Sequence, residues 1–138
     1  MTRLYMLDTN TISYILKGLS PLARRKLNQL GPQDVACISV ITAAELWYGL
    51  EHVGAGEQRR HALRLLLSRI KFLPWDSQEA EAYGRFRAYQ ESIGRPLGPL
   101  DMQIAAHAIS VGAIVVSNDA AFRNSVGLPG LESWATDV

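Results

Sequence analysis

The sequence predicts an α/β fold, a three-layer α/β/α sandwich around a mainly parallel central sheet. Short apolar or β-branched runs alternate along the chain with longer segments whose apolar residues recur at helical spacing. This alternation is typical of a parallel sheet covered by helices on both faces. With 138 residues, of which 48% are hydrophobic and 20% charged, the chain is expected to form a single domain over residues 1–138.

The first half of the chain contains the first two predicted strands and three predicted helices. Gly18 ends the first helical pattern, and Gly31 with Pro32 marks the turn before the second strand. The elements predicted in this half are strand 4–7, helix 11–17, strand 35–40, helix 42–50 and a helix over about 57–69.

The second half continues the alternation around one irregular loop. Residues 94–99 are rich in Gly and Pro and are expected to be a loop, and Gly112 ends the helix that follows it. The predicted elements are strand 70–73, helix 77–92, helix 101–111, strand 113–117, one helical turn over 120–124 and a last edge strand over 131–134.

The bulk composition indicates a protein of a reducing compartment. Cys37 is the single cysteine and lies in an apolar run, so it is expected in the core, and no disulfide can form within the chain. The N-terminal apolar stretch is interrupted by Asp8, which argues against a signal peptide, and no segment has the length of a membrane span. We therefore expect a cytoplasmic protein without a membrane partner.

Four acidic residues, Asp8, Glu45, Asp101 and Asp119, each lie where a predicted strand ends or a helix begins. The carboxyl ends of parallel strands face one crevice, so the fold is expected to bring these positions together. Two carboxylates about 5 Å apart repel by roughly 3 kcal/mol at an effective dielectric constant near 20. A divalent cation is the simplest way to relieve that repulsion, so the four residues are the candidate catalytic and metal-binding set.

Each of these acids also has a purely structural interpretation. Asp8 and Asp101 are placed to be helix N-caps, and Glu45 with Thr42 matches a capping box. Asp119 follows a strand and is typical of an Asx turn. A cap stabilises a helix by about 1 kcal/mol, which is less than the repulsion between neighbouring carboxylates. Capping alone would therefore not explain the four residues coming together.

An all-carboxylate cluster restricts the possible chemistry. Hard oxygen ligands favour Mg²⁺, with Mn²⁺ possible, over zinc or copper. Paired divalent ions support in-line phosphoryl displacement. Small polar neighbours are candidates for orienting waters or phosphate oxygens, and they are Thr9, Asn10, Ser39, Ser117 and Asn118.

Other catalytic schemes lack their parts. His52, His61 and His107 have no Ser or Cys partner in a nucleophile motif, and no Gly-rich phosphate loop is present. His107 is predicted to be a partly exposed structural residue rather than a base.

The motifs around the acids resemble those of PIN-domain ribonucleases, and in particular the VapC-type toxins of bacterial toxin–antitoxin pairs. The resemblance covers essentially the whole chain, and its motifs occur in family order. The segments that carry it are Met6-Leu7-Asp8-Thr9-Asn10, residues 39–49 (SVITAAELWYG), residues 96–101 (PLGPLD), Ile104-Ala105-Ala106-His107-Ala108 and Val116-Ser117-Asn118-Asp119, with Phe122 and residues 128–131.

The resemblance implies an Mg²⁺-dependent endoribonuclease. Asp8 and Asp101 would be the principal metal ligands, and Glu45 and Asp119 would complete the site partly through water. Water activated there would attack an RNA phosphodiester without the 2′-hydroxyl as nucleophile. The resemblance further implies a homodimer, a cognate VapB-type antitoxin whose C-terminal segment lies across a groove beside the site, and contact with operator DNA only through that antitoxin.

Two surface features gain meaning from the resemblance. One is an apolar set that is most simply core, but whose exposed parts would form a groove for a partner helix. Its members are Trp47, Tyr48, Leu50, Leu65 and Leu66. The other is a basic set that is either a solvated face or a contact for RNA phosphates. Its members are Arg59, Arg60, Arg64, Arg85, Arg87 and Arg95.

Two alternative functions remain open at this point. A catalytically silent PIN-like module that binds RNA or protein would be expected to lack one or more of the acids, and all four are present. A receiver-like domain would need paired acids near the first strand and a lysine after a late strand, and neither is found.

Overall fold

The computed structural model describes residues 2–134 and has the predicted alternation of strands and helices. Gly18 and Gly112 end α1 and α6 in the left-handed conformation, at φ of 67° and 73°, which glycine adopts without a Cβ clash. In chain order the elements are β1 (Arg3–Leu7), α1 (Thr9–Lys17), α2 (Pro21–Asn28), β2 (Asp34–Ser39), α3 (Val40–His52), α4 (Glu57–Leu67), β3 (Lys71–Leu73), α5 (Ser77–Ser92), α6 (Pro99–Val111), β4 (Ile114–Val116), a 3₁₀ helix (Ala120–Asn124) and β5 (Gly130–Glu132).

The five strands form one parallel sheet in the order β3-β2-β1-β4-β5. The chain first winds from β1 outward to β3 and then returns to the other side of β1 to add β4. The strand order thus reverses beside β1, between β1 and β4, and ligands of open parallel sheets bind at the carboxyl ends of the strands at such a point. The α/β prediction is confirmed, including the last strand at the edge.

The sheet separates two apolar cores because successive side chains of a strand point to opposite faces. Tyr5 and Leu7 of β1 belong to the core shared with α1 to α4, whereas Met6 between them belongs to the core shared with α5 and α6. Cys37 lies in this second core, where burial raises the pKa of its thiol to about 12. Its predicted position in the core is confirmed, and so high a pKa leaves the thiol unreactive.

The helix α2 was not predicted from the sequence. Only Ala23 and Leu27 of this helix are buried, so its apolar periodicity is weak. Its start nevertheless carries a recognisable signal, because the Ser20 side chain accepts a hydrogen bond from the Ala23 amide and Pro21 occupies the first helical position.

The helices α5 and α6 are fastened to each other and to the loops around them by buried polar side chains. The Ser110 hydroxyl donates to Glu79 Oε2 at 2.7 Å, and the Asp76 amide donates to Glu79 Oε1 at 2.8 Å, so the pKa of Glu79 is lowered. Gln90, which is fully buried, binds three backbone groups of the loops that flank α6 and β4. These contacts hold the loop that leads into α6 and Asp101 and the segment that follows Asp119.

Among the helices of residues 2–134, none combines the length and the apolar character needed to cross a membrane.

Candidate active site

The four acidic residues singled out from the sequence line one cleft of about 200 Å³. Asp8 directly follows β1 and Asp119 follows β4, so these two flank the point where the strand order reverses. Asp101 reaches the cleft from the first turn of α6, and Glu45 from the second turn of α3. Topology therefore brings the four side chains together, as expected; their catalytic role stays a prediction.

Asp8 and Asp119 make the capping contacts that their positions indicated. Asp8 Oδ1 accepts a hydrogen bond of 2.8 Å from the Thr11 amide at the start of α1. Asp119 Oδ1 accepts one of 2.9 Å from the Ala121 amide at the start of the 3₁₀ helix. Each carboxylate is oriented by one backbone amide through one oxygen, which fixes its direction and leaves the other oxygen for a ligand.

The structural interpretations of Glu45 and Asp101 were wrong. The N-cap of α3 is Ser39 rather than Thr42, so Glu45 lies too far along the helix to close a capping box. Gly98 is the N-cap of α6, and Asp101 is the third residue of that helix. Both helices begin two residues earlier than predicted. Helix capping thus gives no reason for a carboxylate at either position.

Asp101 is the acid whose ionisation the cleft perturbs most clearly. Burial raises its pKa to about 6, and the negative charges of Asp119 and Asp8 and a hydrogen bond with Asp119 add to the shift. The start of a helix normally favours a negative charge, so the surrounding acids and burial override the helix dipole here. Without a cation, the ionised cleft is electrostatically strained.

Replacing Asp101 with Asn is therefore expected to stabilise the cation-free protein near neutral pH. Because the folded-state pKa is raised, the stability contribution of Asp101 is present at acidic pH and is lost as the pH rises from about 4 through about 6. The full shift corresponds to at most about 3 kcal/mol, and partial exposure reduces this to about 1–2 kcal/mol. Thermal melts in EDTA should show Asp101→Asn melting about 5 °C higher near pH 7.5 and much closer to wild type near pH 4.5.

Glu81→Gln is the control for this melt, because Glu81 is exposed on α5. The control should leave the melting temperature unchanged at both pH values. A lower melting temperature for Asp101→Asn near neutral pH would show that its carboxylate stabilises the fold.

The side-chain atoms around the cleft that could ligate a metal ion are all oxygen atoms. Besides the four carboxylates, the buried Thr42 hydroxyl lines the cleft and has no hydrogen-bond partner among the described residues. No three acidic, histidine or cysteine side chains within residues 2–134 have their ligating atoms close enough to enclose one ion directly. This arrangement fits a hard cation that keeps part of its water shell, with some protein ligands acting through water.

The polar neighbours of the acids divide into two groups. Thr9 and Asn10 line the cleft, whereas exposed Asn118 does not. The predicted ligand-orienting role of Ser39 and Ser117 was wrong, because both hydroxyls are buried and used within the protein. Ser39 Oγ accepts from the Ile41 amide and contacts His107, and Ser117 Oγ accepts from the Asp119 amide.

His107 is structural, as predicted, but the prediction that it is partly exposed was wrong. Its ring is fully buried between α6 and the end of β2, with Nδ1 at 2.7 Å from Ser39 Oγ. The Trp75 ring packs edge-on against the imidazole, with 5.5 Å between the ring centroids. Burial lowers the pKa of the imidazole. This contact ties α6, which carries Asp101, to the N-cap of α3, which carries Glu45.

The wall of the cleft also contains apolar residues that were not among the candidate site residues. Ile41, Leu100 and Ile104 face it beside Thr42. Ile41 lies four residues before Glu45 and Ile104 three residues after Asp101 on the same helices, and residues at that spacing share a helix face.

A second, apolar groove of about 390 Å³ adjoins the acidic cleft, and Thr9 and Glu45 line both. Of the apolar set considered from the sequence, Tyr48 and Leu50 line this groove, and Tyr48 is 59% exposed. Leu65 is exposed and Leu66 is buried, but neither they nor Trp47 line the groove. The apolar part of the groove consists of Leu16, Leu46, Tyr48, Leu50, Val53, Ala62 and Leu63. Its charged lining residues are Lys17, Arg59 and Glu45.

Three of the six arginines considered from the sequence are engaged within the protein. Arg60 binds Glu51, Arg64 binds Glu57, and Arg87 binds Glu91, all at the protein surface. Arg64 also lies over the Trp47 ring at 5.9 Å. The side chains of Arg59, Arg85 and Arg95 form no hydrogen bond or ion pair within the described part of the chain.

Comparison with known proteins gives a consistent result. The model of the PIN domain family matches residues 5–126. The chain is 38% identical over 132 residues to the tRNA(fMet)-specific endonuclease VapC of Salmonella typhimurium, covering 94% of this chain and 97% of the relative. It is 36% identical over 131 residues to the protein of the same name from Shigella flexneri, covering 95% and 98%.

A solved structure shows the same fold. It is VapBC2 from Rickettsia felis bound to a DNA fragment from their promoter, with a TM-score of 0.88 at 32% identity, covering 95% of this chain and 98% of the matched chain.

Proposed function

The chain belongs to the PIN domain family and, within it, to the VapC group, and on that premise we propose that it is a metal-dependent endoribonuclease acting as the toxin of a VapBC-type pair. The observation that carries the proposal is the meeting of Asp8, Glu45, Asp101 and Asp119 in one cleft at the carboxyl end of the parallel sheet. The names of the relatives support RNA as the substrate.

The proposed cofactor is Mg²⁺, with Mn²⁺ as a substitute. Asp8 and Asp101 would be its principal ligands, and Glu45 and Asp119 would complete the site partly through water. The oxygen-only donor set, the raised pKa of Asp101 and the unpartnered Thr42 hydroxyl support this choice. Held by these residues, a divalent cation would supply positive charge to the scissile phosphate and the leaving oxygen and would lower the pKa of the attacking water.

The protein's own residues hold this chemistry in place. The Thr11 and Ala121 amides fix the directions of the Asp8 and Asp119 carboxylates, so little reorganisation is needed when substrate arrives. Ile41, Leu100 and Ile104 give the cleft an apolar side against which a ribose or base can rest. Attack by water in line with the 3′-oxygen leaves a 5′-phosphate on one product and a 3′-hydroxyl on the other.

The proposal is tested by incubating the purified protein with an initiator tRNA transcript, an elongator tRNA and total RNA, because two relatives bear names that specify tRNA(fMet). We expect discrete cuts with 5′-phosphate ends, and a 2′-deoxy substitution at the cut site should still permit cleavage. Products ending in 2′,3′-cyclic phosphate would contradict hydrolysis by water. RNA binding without any cleavage would instead indicate a silent PIN-like module.

We further propose that the apolar groove receives a C-terminal segment of a VapB-type antitoxin. The groove is lined mainly by apolar residues together with Lys17 and Arg59, so an amphipathic segment that carries acidic residues would fit it. Because Thr9 and Glu45 line both groove and cleft, a segment bound there would also obstruct the acids.

Tyr48→Asp is expected to weaken binding of the cognate antitoxin by at least about tenfold, since it places a charge on the floor of an apolar contact. Titration of the antitoxin into the nuclease assay gives the inhibition constant. The matched control is Phe72→Asp, which alters a similarly exposed aromatic residue on the edge strand β3. Equal inhibition of the Tyr48 variant and wild type would contradict this use of the groove.

The remaining parts of the proposal concern assembly and location. We expect a homodimer that acts in the cytoplasm and reaches operator DNA only through its antitoxin. The structure of the similar Rickettsia felis pair on promoter DNA supports the DNA contact.

A further inference from the structure

The two loops that flank the acidic cleft meet at one buried side chain, Gln90. Its Nε2 donates to the Arg95 carbonyl and to the Asn124 carbonyl, each at 2.8 Å, and its Oε1 accepts from the Val126 amide at 2.9 Å. Because one nitrogen atom binds both carbonyl oxygens, the main chains at residues 95 and 124 lie side by side.

The same loops also meet at the cleft itself. The first leads from Arg95 into α6 and Asp101, and the second runs from Asp119 through the 3₁₀ helix to Asn124. Asp101 and Asp119 both line the acidic cleft. At about 2 Å per residue in a 3₁₀ helix, Arg123 lies about 8 Å along the chain from Asp119.

Arg95 and Arg123 therefore stand on neighbouring segments, six residues before Asp101 and four residues after Asp119, and both are exposed. Neither side chain has a hydrogen-bond or ion-pair partner in residues 2–134, in contrast to Arg60, Arg64 and Arg87. Two free guanidinium groups beside a cleft of four carboxylates are well placed to attract an anion that the cleft alone would repel.

Resting on the proposed nuclease function, we propose that Arg95 and Arg123 hold phosphates of the RNA backbone next to the cleft. A guanidinium group binds a phosphate through two parallel hydrogen bonds and so fixes its position as well as its charge. The buried Gln90 amide sets the spacing of the two loops and hence of the two arginines. Interactions of this kind orient the chain without reading its sequence.

The test measures RNA affinity in a background that does not cleave. Asp8→Asn protein is titrated into fluorescein-labelled initiator tRNA and into a labelled single-stranded oligoribonucleotide, from about 50 to about 200 mM NaCl, and binding is followed by anisotropy. Adding Arg95→Gln and Arg123→Gln together should weaken binding of both RNAs at least about tenfold. The slope of log affinity against log salt should become shallower by about 1.4, since each phosphate that is no longer neutralised changes it by about 0.7.

Arg25→Gln is the matched control, since it removes the same charge from an exposed arginine. Arg25 lies in the last turn of α2, which leads to the start of β2 at the opposite edge of the sheet, and it should leave affinity and salt slope unchanged. An Arg95/Arg123 double variant that binds within twofold of its parent with the same slope would overturn the inference. If the Asp8→Asn parent does not bind RNA and the wild-type protein does not cleave it, both the proposed function and this inference are overturned.

Discussion

Asp101→Asn is expected to reduce RNA cleavage at least about a hundredfold while the protein remains folded. The change removes one ligand charge from the cleft with almost no change in volume, and altering even the outer partners of a metal site costs about 10- to 100-fold. Asp8→Asn should have an effect of the same size. The measurement is the single-turnover cleavage rate with excess enzyme and saturating Mg²⁺.

The control for this loss is again Glu81→Gln, which removes a carboxylate from the exposed side of α5 and should keep the wild-type rate. Circular dichroism of each variant checks the fold. If Asp101→Asn and Asp8→Asn both cleave at the wild-type rate, the acids of the cleft are not the catalytic residues.

Gln90→Leu is expected to destabilise the protein by about 3 kcal/mol or more, the largest stability effect that we predict. Leucine preserves the side-chain volume but leaves the Arg95 carbonyl, the Asn124 carbonyl and the Val126 amide without their partner. The three hydrogen bonds are partly buried, and each contributes about 1 kcal/mol. The melting temperature should fall by about 10 °C.

Gln78→Leu provides the matched substitution on the same helix, because Gln78 is exposed near the start of α5. It should change the melting temperature by no more than about 2 °C. If Gln90→Leu and Gln78→Leu have the same melting temperature, the three hydrogen bonds of Gln90 do not stabilise the protein.

The fold was largely predictable because local pattern and topology agree. Four apolar runs and a more polar last edge strand, separated by helical segments, leave few arrangements other than a parallel sheet with helices on both faces. The helix α2 escaped prediction because it buries only two side chains and is mostly polar, although Ser20 and Pro21 mark its start. Packing against the rest of the fold stabilises that helix more than its own weak apolar periodicity would indicate.

The meeting of the four acids was predictable for a different reason. Asp8 and Asp119 follow strands, and strand ends of a parallel sheet converge whatever the details of the helices. The local role of Glu45 and Asp101 was not predictable from the sequence. A capping interpretation depends on which residue begins the helix, and that boundary is poorly encoded in sequence. The burial of Ser39 and His107 follows from how α6 packs on the sheet, which no local pattern reports.

The three hydrogen bonds of Gln90 lay outside prediction for the same reason. A glutamine near the end of an amphipathic helix is ordinarily an exposed residue. Its partners lie 5, 34 and 36 residues away in sequence, so only the assembled fold shows that it joins the loops of Asp101 and Asp119.

The most direct test of the central claim is the cleavage rate of the wild-type protein on a mapped RNA site as Mg²⁺ is removed and restored. The claim is that the four carboxylates of one cleft act through a divalent cation. We expect the rate to fall to background in excess EDTA and to return when Mg²⁺ or Mn²⁺ is added beyond the chelator, with no return in Asp101→Asn. Cleavage that proceeds in EDTA at the same rate and the same site would contradict the claim.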